Sequence, residues 1–345
     1  MNWDQLERLV TTPGISGREE RIRAVVTEEL KGLVDEIEVD ALGNVFGIRR
    51  GERPRVMLSA HMDSIGFLVK HIDDNGFLRI SPVGGFDPRT LVSQHVLVLG
   101  KKDYVGLLGP SSKPIHILDE QERKKAPSLE DMFIDVMVPA EEVKANISVG
   151  DPVSLHQEPI ATERAFTSPY LDDRLGVFVL LQALARADET ACEIYAAVTV
   201  QEEVGLRGAA TGAFGIEPDI GVALDITIAG DLPGADQSQQ VSELGKGVAI
   251  KVMDSSSISD PRLVDKLRKL ADDNGIPHQL EILPRGGTDA GGMQQARSGV
   301  PVVTVSMPTR YVHTVNEMAL AADVEASIDL LARFLAGAHE IDLRR

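Results

Sequence analysis

The sequence predicts an α/β fold, a mainly parallel sheet interrupted by a small inserted all-β domain. Three observations predict it. Short apolar runs alternate with helical patterns towards both ends of the chain. The alternation lapses between residues 65 and 161, where strand and turn signals follow one another. Outside that interval, several apolar runs end in acids or histidine. Strands alternating with helices imply right-handed crossovers and a sheet covered on both faces. The division is therefore residues 1–64 plus 162–345 for the α/β domain and 65–161 for the insertion. A chain of 345 residues is long enough for more than one domain.

Taken in order, Ser16 stands three residues before Glu19, the spacing of a capping box. Behind it Ile22, Val25, Val26 and Leu30 recur at helical intervals. Residues 44–48 read as a strand, and residues 56–60 as a buried strand that runs into His61-Met62-Asp63. The insertion opens with strands at 66–72 and 77–80 around Asp73-Asp74-Asn75-Gly76, whose Asn-Gly pair tolerates the positive φ of a tight hairpin turn. Residues 96–99, 104–108, 133–138 and 153–155 continue the β pattern, and polar residues 118–128 predict an exposed loop.

Near Thr167 the α/β texture returns. Residues 175–187 are apolar almost all round, as in a helix buried on several sides. Strands follow at 194–200, 220–224 and 247–253. Asp260-Pro261 opens a helix striped by Leu263, Leu267 and Leu270 and stopped by Asn274-Gly275. Strands at 280–283 and 301–307 precede a last helix marked by Val324, Ile328, Leu331 and Leu335.

Composition narrows the function. Subtracting 53 acids from 35 bases leaves −18, which disfavours nucleic acid and anionic membrane as partners. Hydrophobic residues at 43% and charged residues at 26% exclude wholesale disorder, and 4% aromatics imply an aliphatic core. A single cysteine, Cys192, rules out an intrachain disulfide. The amino terminus lacks the apolar core of a secretory signal and no apolar run is long enough to span a bilayer, so the expected location is the cytoplasm.

In open α/β sheets ligands sit beyond the C-terminal ends of the strands. His61, Asp63, Glu202, Glu203 and Asp225 follow apolar strands, His313 follows the last of them, and Asp172-Asp173 precedes the buried helix. Two imidazoles and several carboxylates suit Zn²⁺, Co²⁺ or Mn²⁺. One carboxylate can bridge two cations about 3.5–4 Å apart. Each position also has a plainer reading: Asp172-Asp173 as a cap, Glu202-Glu203 as a solvated strand end, Thr288 or Asp289 as the cap of a helix over 289–297. His71, His95, His116, His156, His278 and His339 fit the plain reading alone.

The segments Ser59-Ala60-His61-Met62-Asp63, Leu171-Asp172-Asp173-Arg174, Gln201-Glu202-Glu203-Val204-Gly205, Ala223-Leu224-Asp225, Gly287-Thr288-Asp289-Ala290 and Tyr311-Val312-His313-Thr314 occur in this order along nearly the whole chain. Together they resemble the M42 family of metallo-aminopeptidases, which includes the TET peptidases. The resemblance implies a zinc-peptidase-like catalytic domain with two divalent cations, zinc or cobalt, per subunit. His61 and Asp225 would hold one, Glu203 and His313 the other, and Asp172 would bridge them. Asp63 would orient His61, and Glu202 would serve as general base and acid. Thr288 and Asp289 would shape the substrate pocket. The insertion would be a dimerisation domain, giving a homo-oligomer from a dimer up to a tetrahedral dodecamer that acts on peptides.

Rival readings are another dinuclear amidohydrolase (a carboxypeptidase or an N-acyl deacylase), a metal-independent glycosidase and a noncatalytic scaffold holding structural metal. A glycosidase needs its two carboxyls roughly 5–9.5 Å apart across a sugar, for which adjacent Glu202 and Glu203 are poorly suited.

Overall fold

The computed structural model describes residues 1, 3–110, 115–124, 126–187 and 190–341. At its centre the strands Cys192–Thr199, Glu52–His61, Ile220–Ile228 and Val302–Arg310 lie side by side and parallel. They are apolar along both faces, as strands covered on both sides must be. Side chains alternate across the sheet. Val56, Leu58 and Ala60 enter one hydrophobic cluster, with the helices Leu171–Arg186 and Ala321–Gly337. Met57 enters another, with Ala209, Ala213, Ala290 and Met293 from the helices Arg207–Ile216 and Asp289–Gln294.

The sheet is parallel at its centre and antiparallel at its margins. Val45–Arg49 and Glu36–Val39 extend one side; Glu317–Leu320, Ala165–Ser168 and Ile160–Ala161 extend the other. Val248–Met253 runs antiparallel to Val302–Arg310 and carries His278–Ile282 parallel to itself. Antiparallel neighbours need only short loops, whereas the central four need crossovers, so the helices cluster over the centre.

Six strands of the insertion, Gly66–Ile72, Leu78–Val83, Met132–Asp135, Asp103–Pro110, Gln94–Leu99 and Pro152–Leu155, close into a barrel. Along Asp103–Pro110 the odd positions face out while Tyr104, Gly106 and Leu108 face in, the period of two that a barrel wall requires. Phe67, Val69, Leu78, Val96, Val98, Ile134 and Val153 fill the interior as a separate core.

Several local expectations are corrected. The hairpin turn is longer than a two-residue Asn-Gly turn: only Gly76 has a positive φ, 90°, and Asp73 Oδ1 accepts from the N–H groups of Asn75 and Phe77. Part of the expected loop over 118–128 is a short helix, Glu120–Lys124, and Lys125 lies outside the described residues. The capping box of Ser16 and Glu19 does not form. Ser16 Oγ instead donates to Asp63 Oδ2 at 2.6 Å, and Glu19 accepts from Gly17 N at 2.6 Å. The hydroxyl is turned towards a buried carboxylate, to which it donates a charge-assisted bond, and its oxygen does not accept from the helix start. The helix at Asp260 follows the expectation: its carboxylate accepts from Arg262 N, and Gly275 ends the helix with φ 63°.

Glu19 is 2% exposed. Burial, with help from Asp63, pushes its carboxyl up from 4.5 to about 6. A raised carboxyl favours the folded state below the unfolded value, and that advantage is lost as pH rises through about 6. Glu19→Gln mimics the neutral form. It is expected to stabilise the protein by about 1–2 kcal/mol at pH 7.5 and by nothing at pH 4, read from denaturant melts at both pH values.

Candidate active site

Parallel strands ending at one edge bring their terminal side chains together. His61 is the last residue of its strand and Asp225 lies within Ile220–Ile228, one strand over. Beyond Cys192–Thr199 the chain turns through Gln201, whose φ is 56°, so that Glu202 and Glu203 both reach the same cavity instead of opposite faces. Asp172 and Asp173 open the helix Leu171–Arg186 in non-helical conformations, joined by a cis peptide bond. His313, with φ 61°, stands in the loop between Val302–Arg310 and Glu317–Leu320.

The decisive contacts are at Asp172. Its Oδ1 lies 3.1 Å from His61 Nε2 and its Oδ2 3.2 Å from His313 Nε2, so one carboxylate spans both imidazoles. Glu203 Oε2 is 3.6 Å from His313 Nε2, and Glu202 Oε2 is 3.9 Å from His61 Nε2. Ligand atoms of His61, Asp173 and Asp225 lie within 4.8 Å of one another, as do those of Asp172, Glu203 and His313. Among the described residues these are the two such groups, and the six histidines read as plain belong to neither. A cavity of about 610 Å³ opens over them.

The crowded carboxylates favour the uptake of positive charge, as protons or as cations. Burial and then Asp172 push Glu203 up to about 8. Burial and neighbouring carboxylates push Asp173, Glu202 and Asp225 well above the usual range. Burial would lower His313, yet Asp172 and Glu203 raise it to about 10. Glu203 Oε1 is buried with no hydrogen-bond partner. Crowded carboxylates with an orphaned oxygen and two facing imidazoles are a donor set that fits divalent cations.

Supporting groups hold these side chains. His61 Nδ1 is 3.0 Å from the backbone carbonyl of Asp63 and 3.5 Å from its Oδ1. The Asp63 carboxylate chiefly gathers Ser16 Oγ, Glu202 N at 3.0 Å and Glu203 N at 3.3 Å. Burial would raise its pKa, but these bonds and His61 hold it below the usual value. Glu317, 2% exposed, accepts from Asp172 N at 2.9 Å and His313 N at 2.7 Å, binding two of the site residues at once. Burial and Asp172 raise its carboxyl to about 8.

Thr288 lines the cavity, but its hydroxyl does not cap the following helix. It donates to Asp254 Oδ2 at 3.0 Å. Asp289 lies beneath the cavity wall, where Ser59 Oγ and Thr199 Oγ1 both donate to its Oδ2 at 2.5 Å. Sequence reasoning passed over Glu317 and Gly85, whose carbonyl meets His313 Nδ1 at 2.9 Å. It also left Asp173 without a role. A carboxylate four residues after a candidate ligand was the one available signal for Glu317.

The family model for M42 glutamyl aminopeptidase matches residues 43–330. The lysyl aminopeptidase of Pyrococcus furiosus is 36% identical over 346 residues, covering 97% of this chain and 97% of that protein. Among solved structures, the TET aminopeptidase of a marine-sediment Thaumarchaeota archaeon superposes with a TM-score of 0.94 at 35% identity, over 99% of this chain and 96% of that one. The TET1 peptidase of Pyrococcus horikoshii, which can assemble into a tetrahedron or a large octahedral shell, gives 0.85 at 31%, over 96% and 98%. With a match over most of its length and the site residues gathered at one sheet edge, the chain belongs to the M42 glutamyl aminopeptidase family.

Proposed function

We propose that this peptidase removes N-terminal residues from peptides with two divalent cations, zinc or cobalt. His61 and Asp225 would hold one, Glu203 and His313 the other, with the Asp172 carboxylate available to both. The observation that carries the reading is the Asp172 carboxylate spanning both imidazoles at 3.1 and 3.2 Å. Asp173 is the weaker choice for the bridge, because its oxygens accept from His61 N at 3.3 Å and Gly176 N at 3.0 Å.

Cations held there would supply Lewis-acid chemistry, towards the scissile carbonyl and towards water. The chain supplies the rest. Glu202 lies on the cavity wall outside both ligand groups, its backbone pinned by Asp63. It takes the proton of the attacking water and hands it to the leaving amine. The carboxylates of the wall give a protonated N-terminus its counter-charge, while Ile226, Ile228, Leu283 and Val312 offer apolar surface to a side chain. Glu203 is committed to His313, which argues against a pair of glycosidase carboxyls.

We assign the barrel, residues 65–161, to subunit pairing and larger TET-like assembly. No described helix is long and apolar enough to cross a membrane, and we place the protein in the cytoplasm. The test is a panel of amino-acid amides with a free or an N-acetylated amine. Free-amine substrates are expected to be cleaved at least about a hundredfold faster, the scale on which an unpaired buried charge discriminates. Faster cleavage of the acetylated set would move the protein to the deacylase reading.

A further inference from the structure

The far nitrogens of the two imidazoles rest on main-chain carbonyls of different origin. His61 Nδ1 meets the carbonyl of Asp63, two residues along its own segment. His313 Nδ1 meets that of Gly85 at 2.9 Å, from the turn that follows the barrel strand Leu78–Val83. We propose that the barrel turn Gly84-Gly85-Phe86 is a positioning element for one half of the metal centre, the half built on His313 and Glu203. The proposal rests on the two-cation reading above.

Three features of the turn support it. First, an acceptor at Nδ1 keeps the proton on that nitrogen and leaves Nε2 free to face Asp172 and Glu203, 3.2 and 3.6 Å away. Second, the backbone passes close over Glu203. Gly84 has φ +85°, and a Cβ there would lie 2.6 Å from Ile65 Cγ2 and 3.5 Å from Glu203 Oε2. A side chain at this position would therefore push the turn off its seat. Third, the turn is anchored on its other side. Phe86 stacks on Phe67 with ring centroids 4.4 Å apart and planes at 17°, and Phe67 is fully buried in the barrel core. The path is continuous: barrel core, Phe67, Phe86, the Gly85 carbonyl, the His313 ring. Among the described residues His61 Nδ1 takes its carbonyl from Asp63 and none from the barrel, so loosening the turn should act on one cation and spare the other.

The experiment uses the full chain as wild type, Phe86→Ala, Phe86→Tyr and Gly84→Ala. Zinc affinities of both sites are measured by chelator competition, the Co²⁺ visible spectrum is recorded, and the metal-free proteins are melted. Phe86→Ala and Gly84→Ala are expected to weaken one cation by about tenfold or more, the usual effect of losing a partner behind a ligand, and to leave the other unchanged. Phe86→Tyr keeps the stack and should match wild type. Because Phe86 is only half-buried, its alanine variant should retain the fold. Should it unfold, Gly84→Ala gives the same reading. Equal weakening of both cations, or none, in a folded variant overturns the proposal. A wild-type protein that binds no cation overturns the parent reading instead.

Discussion

Glu202→Gln should fold, hold both cations and lose turnover by about 10²–10⁴-fold, the range for removal of a general base. The substitution keeps the shape of the side chain and removes its ability to accept a proton. Glu202 belongs to neither ligand group, so metal content should stay at the wild-type level. Its backbone N–H bond to Asp63 at 3.0 Å does not involve the altered atoms. The loss should fall on kcat and kcat/KM together, as for a group that acts in the transition state and not in binding. Steady-state kinetics with metal analysis of the same sample checks it. A Gln variant with near-normal turnover would remove Glu202 from the mechanism.

The second large effect concerns the bridge. Asp172→Ala should bind neither cation with wild-type affinity and fall below detectable hydrolysis. Chelator treatment of the wild type should reach the same end reversibly, with activity returning on adding zinc or cobalt. The protonation states give this a further signature. At pH 7 the metal-free site holds a proton on Glu203, whose carboxyl is raised to about 8 by burial and Asp172, and a second proton on His313, at Nε2, since its imidazole is raised to about 10. Both must be lost before those atoms can bind a cation. Cation binding at pH 7 should therefore release protons, and apparent affinity should rise as pH climbs towards 8. Calorimetry in two buffers of different ionisation enthalpy measures the release. Binding without proton release would show that these two side chains are not ligands.

The parts of the site that could be read from the chain share one property: each is announced by its own neighbours. His61, Glu202, Glu203 and Asp225 follow short apolar runs that read as buried strands, and parallel strands end at a common edge. The helix opened by Asp260 and closed by Gly275 was legible for the same reason, since caps are local chemistry. What escaped depends on partners far along the chain. Ser16 has a plausible local role beside Glu19, and only the folded protein brings Asp63, 47 residues away, to where it draws the side chain by accepting its hydroxyl hydrogen. Gly85 and His313 are 228 residues apart, and a backbone carbonyl leaves no mark in a sequence. Glu317 looks like an ordinary strand acid until its two oxygens are seen to meet Asp172 N and His313 N. Asp289 also depends on distant partners. Its segment lies at the site, but the buried hydroxyls of Ser59 and Thr199 draw its carboxylate below the cavity wall.

The hydroxyl of Ser16 joins the Asp63 carboxylate, which in turn grips the amides of Glu202 and Glu203. A proteolytic nick just after Ser16 would spare every strand of the large sheet, yet it would loosen one anchor of the loop that carries Glu202, the proposed general base. The amino-terminal arm, whose Trp3, Leu6, Leu9 and Val10 pack into the main apolar cluster, is thus tied a second time, by a relay of hydrogen bonds, to the loop that lines the cavity.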